Sequence, residues 1–177
     1  MTVKLSLASH KDAAATAAVP NYDPKPLKPG ILHFGVGNFH RAHQAVYLDD
    51  LFNTGKGHDW ALIGAGVMPS DAAMRDKLKA QDYLTTVVEQ DNNKTGARVT
   101  APMIDVIAPD QKDALIEKLA DPSIRIVSMT ITEGGYFIDA AGHFNPAHPA
   151  MVEDGNNPTA PKTVFGLILA GLKLRRE

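Results

Sequence analysis

The sequence predicts an α/β layer fold with a mainly parallel sheet and a small antiparallel elaboration. Three observations carry that expectation. Short apolar runs at Ile31–Phe34, Trp60–Ile63 and Ile124–Ile131 read as buried strands. Amphipathic segments over 39–52, 70–80 and 110–120 alternate with them, and Gly, Pro and Asn-rich turns separate the two kinds of segment. The chain has 177 residues, 44% hydrophobic and 21% charged, which suits a globular domain with a sizeable core rather than a disordered chain.

Taken in order, residues 1–30 form a lead-in. Pro20, Pro24, Pro26 and Pro29 keep its second half extended, since a proline inside a helix removes a donor and clashes with the preceding turn. The domain proper is expected over 31–177. Phe39, Ala42, Val46, Leu48, Leu51 and Phe52 share one face of a single helix over 39–52, ended by Asn53-Thr54-Gly55. Ser70 is placed to cap the next helix, running through Met74 and Leu78. Tyr83–Val88 is β-rich, and Val99–Ile107 holds more strand material around Pro102, so the region from Asn92 to Pro109 reads as the antiparallel elaboration. Between them Asp91-Asn92-Asn93-Lys94-Thr95-Gly96 has the chemistry of a hairpin turn. Asp110 is placed to cap a helix with Leu115, Ile116 and Leu119 inward, stopped at Asp121-Pro122. Ile124–Ile131 reads as a fully buried strand, and a last helix opens at Pro161 or Lys162 and runs through Arg175.

Composition narrows the function classes. A net charge of −2 leaves no electrostatic footprint for nucleic acid. Cysteine is absent, which removes thiol nucleophiles and cysteine-ligated zinc and fits a reducing compartment. The longest apolar stretch, Val164–Leu172, is far short of the roughly 20 residues of a membrane span, and the N-terminus lacks an uninterrupted apolar signal core. A cytoplasmic setting is expected.

The sharpest local feature is Gly35-Val36-Gly37-Asn38-Phe39-His40, directly after the first strand and opening a helix. In a dinucleotide fold the first glycine makes the tight turn, and the second lets the backbone approach a pyrophosphate. The third glycine of G-x-G-x-x-G is His40 here, and an ordinary glycine-rich turn fits the same residues. Gly64-Ala65-Gly66 is a rival in similar context, but Pro69 and Asp71 follow it, and an acid there would repel a diphosphate. An acid near the end of the second strand is what an adenosine ribose wants, so both features fit one site: phosphates at Gly35 and Gly37, ribose at Asp71. First-turn helix chemistry accounts for Asp71 equally well. A carboxylate facing the ribose favours NAD over NADP. Arg41 lies one turn into the helix as an anion contact. His40 and His43 lack the carboxylate company of a metal site and read as satisfied or surface histidines; no metal is expected.

Gly35–His43 with Gln44-Ala45 resembles the G-x-G-x-F-H-R-A-H signature of the long-chain polyol dehydrogenases, the mannitol dehydrogenase family. Thr130-Ile131-Thr132-Glu133-Gly134-Gly135-Tyr136, Lys162-Thr163-Val164-Phe165-Gly166 and Ala80-Gln81-Asp82-Tyr83-Leu84 resemble further stretches of the family, in the proper order. The resemblance implies a Rossmann-type NAD-binding domain with an insertion, over 31–177 and incomplete at its C-terminal end. It also implies that the family's helical C-terminal domain is absent from this chain. The activity it implies is reversible, NAD-dependent, zinc-free oxidation of a polyol to a ketose, D-mannitol to D-fructose in the nearest branch. A fructuronate or tagaturonate reductase, or a non-catalytic dinucleotide-binding module working with a separate C-terminal domain or chain, are the alternatives. By resemblance the cofactor residues are Gly35, Val36, Gly37, Asn38, Phe39, Arg41 and Asp71. The base of such enzymes is a lysine, helped by an asparagine and a histidine, and all three belong to the C-terminal domain. Glu133 is implied near nicotinamide and substrate as a proton relay; a carboxylate accepting from the Gly134-Gly135 turn is the alternative. Strands expected after the last helix are missing, which predicts an unpaired sheet edge and uncovered Val164, Leu167, Ile168 and Leu172.

Overall fold

The computed structural model describes residues 4–92 and 95–176; the side chain of Glu133 lies outside what is described. Four strands, β1 (Pro29–Phe34), β2 (Ala61–Ala65), β5 (Met103–Ile107) and β6 (Ile126–Met129), form one parallel sheet in the order β5-β2-β1-β6. The strands β3 (Thr85–Gln90) and β4 (Thr95–Thr100) form a separate antiparallel pair. The antiparallel elaboration therefore lies at 85–100, earlier in the chain than the Asn92–Pro109 region expected. Pro102 divides it from β5, and β5 joins the main sheet beside β2. Asn93 and Lys94 of the expected hairpin turn lie outside the described residues.

Alternation along the strands sends side chains to two faces. Leu32, Phe34, Ile63, Ala65 and Ile107 pack on one face with Leu115 and Leu119 of α4 (Lys112–Ala120) and Val164 and Leu167 of α6 (Val164–Arg176). Ile31, Leu62, Met103 and Val106 face the other way, onto Val36, Ala45 of α2 (Gln44–Asn53) and Leu78 of α3 (Asp71–Lys79). Helices on both faces of a parallel sheet make the doubly wound α/β arrangement that the sequence predicts.

Several local expectations are corrected. The 39–52 helix is two: α1 (Asn38–Ala42) and α2, broken at His43, whose φ and ψ are −124° and −82°. The His43 ring Nδ1 lies 2.8 Å from the Phe39 carbonyl, the acceptor that its own backbone N–H would take in an unbroken helix. Ser70 does not cap α3 and Asp110 does not cap α4; neither helix has a side-chain cap bond, and Gln111 stands at the N-cap of α4. β6 is shorter than the apolar run 124–131 and lies at the sheet edge, leaving Ile126 and Val127 exposed. Val164 and Leu167 are buried and Ile168 partly so, whereas Leu172 is exposed as expected, together with Leu169 and Leu174. Three elements were not expected among the described residues, 3-10 turns over His10–Ala15 and Glu133–Tyr136 and the helix α5 (Pro149–Asn156). α5 opens with proline at its first position, and His148 Nδ1 accepts from the Ala150 N–H.

The lead-in packs onto the domain. Tyr22 and Leu27 are buried with Phe52, Leu84, Val99 and Ala101. The link is the buried carboxylate of Asp49 on α2. Its Oδ1 accepts from the Tyr22 hydroxyl at 2.7 Å and the Ala101 N–H at 3.1 Å; its Oδ2 accepts from Arg98 at 2.9 Å and Asn53 at 3.1 Å. Burial and the Asp49 carboxylate push the Tyr22 phenol well above its ordinary range. One acid thus ties together the lead-in, α2 and β4.

Candidate dinucleotide site

In an open α/β sheet, ligands collect beyond the carboxyl ends of the strands where the strand order reverses. Here that point falls between β1 and β6, both neighbours in the sheet but distant in sequence. The Gly35–Phe39 loop leaves the end of β1, and the Thr130–Tyr136 segment leaves the end of β6. Asp71 follows β2. The structure therefore brings the expected residues to one end of the sheet.

The two glycines of the loop do different work. Gly35 turns the chain at φ +92°, and a Cβ there would meet the Thr130 carbonyl oxygen at 2.3 Å. It is required by both conformation and packing. Gly37 is different: its backbone is extended (φ −71°, ψ −175°), open to any residue, and no described atom lies within 4 Å of a Cβ built on it. Neither strain nor internal packing requires glycine at that point. A backbone kept bare toward open space fits close approach by a pyrophosphate.

The loop's carbonyls are pinned from behind. The Thr130 hydroxyl donates to the Gly35 carbonyl at 3.0 Å. Arg41 donates through Nε to the Val36 carbonyl at 3.1 Å and the Gly37 carbonyl at 3.4 Å, and through Nη2 to Asn38 Oδ1 at 2.6 Å. In a planar trans peptide the N–H points opposite to the carbonyl. The N–H groups of Val36 and Gly37 are thus aimed away from these anchors, and neither donates to a protein acceptor among the described residues. Such a nest of oriented amides suits an anion. Arg41, expected as an anion contact, fastens the loop that presents the amides.

Val36 is buried, and its Cγ1 occupies the space where a Cβ on Gly64 would sit, at 2.4 Å. Gly66 likewise gives room to the Asp71 Cβ. The rival Gly64-Ala65-Gly66 turn is thereby accounted for by packing. Asp71 Oδ2 accepts from the Val67 and Met68 N–H groups, both at 2.9 Å, and so shapes the turn after β2. Phe39 is exposed and stacks on His43, with centroids 4.4 Å apart. Glu133 begins a 3-10 turn over Glu133–Tyr136, directly after the β6 end.

Sequence reasoning missed the floor of the site. His33 of β1 and His40 of α1 are buried and stacked, with centroids 3.7 Å apart and planes at 15°. His33 lies between Ser128 Oγ (2.8 Å from Nδ1) and Thr130 Oγ1 (2.9 Å from Nε2). His40 Nδ1 faces Gln44 Oε1 at 3.1 Å, while its Nε2 has no partner among the described residues. Burial pushes His33 down to about 4; burial, with the adjacent His33, pushes His40 down to about 3. The imidazole replacing the third glycine therefore packs as a neutral plate on β1. A polar residue inside an apolar strand was the available signal, readable only once His33 is known to pair with Ser128.

A separate cleft of about 320 Å³ is lined by Leu7, Leu27, Tyr83, Met103 and Ile104. It opens near the start of β5, at the other end of that strand from the turn after β2. The candidate dinucleotide site lies instead at the carboxyl ends of the strands. Among the described residues no three metal-ligating side chains cluster, and no helix is long and apolar enough to cross a membrane.

Comparison with known proteins gives the family and the fold. Residues 29–177 match the family model described as the mannitol dehydrogenase Rossmann domain. The chain is 57% identical over 159 residues to a mannitol 2-dehydrogenase of Cereibacter sphaeroides, covering 89% of this chain and 33% of that protein. It is 42% identical to a polyol:NADP oxidoreductase of Gluconobacter oxydans, covering 94% of this chain and 35% of that protein. The solved Pseudomonas fluorescens mannitol 2-dehydrogenase, a ternary complex with NAD and D-mannitol, superposes with a TM-score of 0.93 at 46% identity, over 98% of this chain and 36% of that one. The chain spans about a third of the length of these relatives. By motif order, strand topology and family match, it belongs to the mannitol dehydrogenase family, of which it carries the Rossmann domain.

Proposed function

We propose that this chain is the nucleotide-binding portion of an NAD-dependent oxidoreductase that interconverts D-mannitol and D-fructose. The observation that carries the reading is the Gly35–Phe39 loop at the strand-order reversal, with its carbonyls pinned by Thr130 and Arg41 and bare backbone at Gly37. Val36, Gly37 and Asn38 would meet the pyrophosphate with their amides, and Phe39 would flank it. Asp71 would face the adenosine ribose, where its carboxylate opposes a 2′-phosphate and so favours NAD over NADP.

A bound nicotinamide would supply the hydride acceptor for the alcohol carbon, and the alcohol proton would then need an acceptor of its own. Glu133, in the turn after β6, is the residue of this chain proposed to pass that proton on. The principal base and the substrate-holding groups belong, on this reading, to a C-terminal domain or chain that completes the enzyme. A cytoplasmic setting accords with the cysteine-free composition.

Calorimetric titration of the chain with NAD and with NADP tests the reading. The expected result is NAD binding about tenfold or more tighter than NADP, from one unfavourable charge contact in a partly shielded site. No binding of either, or tighter NADP binding, overturns it. NADH-linked reduction of fructose against fructuronate, by a complete enzyme carrying this domain, decides the substrate.

A further inference from the structure

The His33–His40 stack carries a consequence for the loop above it. The Gly35 carbonyl can only accept, so the Thr130 hydroxyl must give its single proton there. The same oxygen then has only lone pairs left for His33 Nε2, 2.9 Å away, and Nε2 must be the protonated nitrogen. Nδ1 is bare in the neutral ring and accepts from Ser128 Oγ at 2.8 Å. The chain of donors runs in one direction, from Ser128 through His33 and Thr130 to Gly35. His40 lies flat against the His33 ring at 3.7 Å and holds it in plane; its own Nδ1 donates to Gln44 Oε1. In the other tautomer, His33 Nε2 would compete for the Thr130 proton and the Gly35 carbonyl would lose its donor. The peptide carrying the Val36 N–H would then be free to rotate.

We infer that His33, held as its Nε2–H tautomer by Ser128 and stacked under His40, is a positioning residue for the dinucleotide loop, acting through the Thr130 hydroxyl on the Gly35 carbonyl. This rests on the nucleotide-binding reading above. It assigns to the family-signature histidine at position 40 the task of a neutral plate, and to the hydroxyl at position 130 that of a latch.

The test compares the chain with Thr130→Val, which keeps the shape and loses the hydroxyl, and Thr130→Ser, which keeps the hydroxyl. NAD affinity is measured by titration, and the His33 tautomer by nitrogen-15 NMR of the imidazole. The inference expects a protonated Nε2 and a bare Nδ1 in the parent. It expects NAD binding weakened about tenfold by Thr130→Val and restored to within about twofold by Thr130→Ser, the scale of one oriented hydrogen bond. Equal NAD affinity in parent and Thr130→Val overturns the inference while leaving nucleotide binding intact. A parent in which Nδ1 carries the proton overturns it independently of any nucleotide. A parent with the expected tautomer that binds no NAD fails the nucleotide-binding reading, and the inference falls with it.

Discussion

Two alanine substitutions in one loop, Gly35→Ala and Gly37→Ala, should have opposite signatures. At position 35 alanine must adopt φ +92°, and its Cβ would sit 2.3 Å from the Thr130 carbonyl oxygen and 3.0 Å from the carbonyl carbon. The conformational strain is about 1–3 kcal/mol, and relieving the overlap by shifting the end of β6 adds about 1–3 kcal/mol more. For a domain of this size each kcal/mol moves the midpoint by about 2–4 °C, so Gly35→Ala should melt roughly 10 °C lower. At position 37 the backbone is already in a region open to alanine, and nothing described lies within 4 Å of the new Cβ. Stability should stay within about 0.5 kcal/mol of the parent. The new methyl would, however, stand where a phosphate oxygen must come within about 2.9 Å of an amide nitrogen, and NAD affinity should fall about tenfold or more. The assay is a pair of thermal melts for each protein, without and with saturating NAD, since a ligand bound only to the folded chain raises the midpoint. A Gly37→Ala protein that melts as low as Gly35→Ala, or that keeps the full NAD-induced rise, refutes the division of labour between the two glycines.

Asp49→Ala should strand the Tyr22 hydroxyl and the Ala101 N–H in the core, at about 1–3 kcal/mol each, whereas Asp50→Ala removes an exposed partner of Arg98 and should cost under about 1 kcal/mol. Denaturant unfolding of the two variants checks this; equal losses would contradict it. The stacked histidines give a pH dependence. Their folded values, about 4 and about 3, lie below the ordinary 6.5, so the stability they contribute is present above pH 6.5 and is lost as pH falls toward 4. Urea midpoints measured across that window should drop, and less so in His40→Gln. The β6 edge beside α6 exposes Ile126, Val127 and Leu172. The chain should self-associate in sedimentation, and Val127→Lys should suppress it.

Much of the architecture was legible in the sequence because strands buried on both faces read as apolar runs and helices as 3.6-residue stripes. The loop was legible because Gly35 must turn the chain immediately after such a run. The break at His43 was not, because periodicity continues through it while a side chain takes over a backbone acceptor. Edge position was not legible either: Ile124–Ile131 has the composition of an interior strand, and only pairing shows that β6 has β1 on one side alone. Ser70 and Asp110 have capping chemistry in capping places, yet the turns before α3 and α4 are held by Asp71 and Gln111. Arg41 was expected to face the ligand; its guanidinium geometry serves three acceptors within its own loop. The His33–Thr130 latch joins residues far apart in sequence and needed the β1–β6 register to be seen.

On the proposed function the dinucleotide lies on the Gly35–Phe39 loop at the end of β1. Chemical-shift mapping of the isotope-labelled chain during NAD titration tests it most directly. The largest amide shifts are expected at Val36, Gly37 and Asn38, with a second group in Thr130–Gly135. Shifts clustered instead at Leu27, Tyr83 and Met103, around the separate cleft, would overturn that placement.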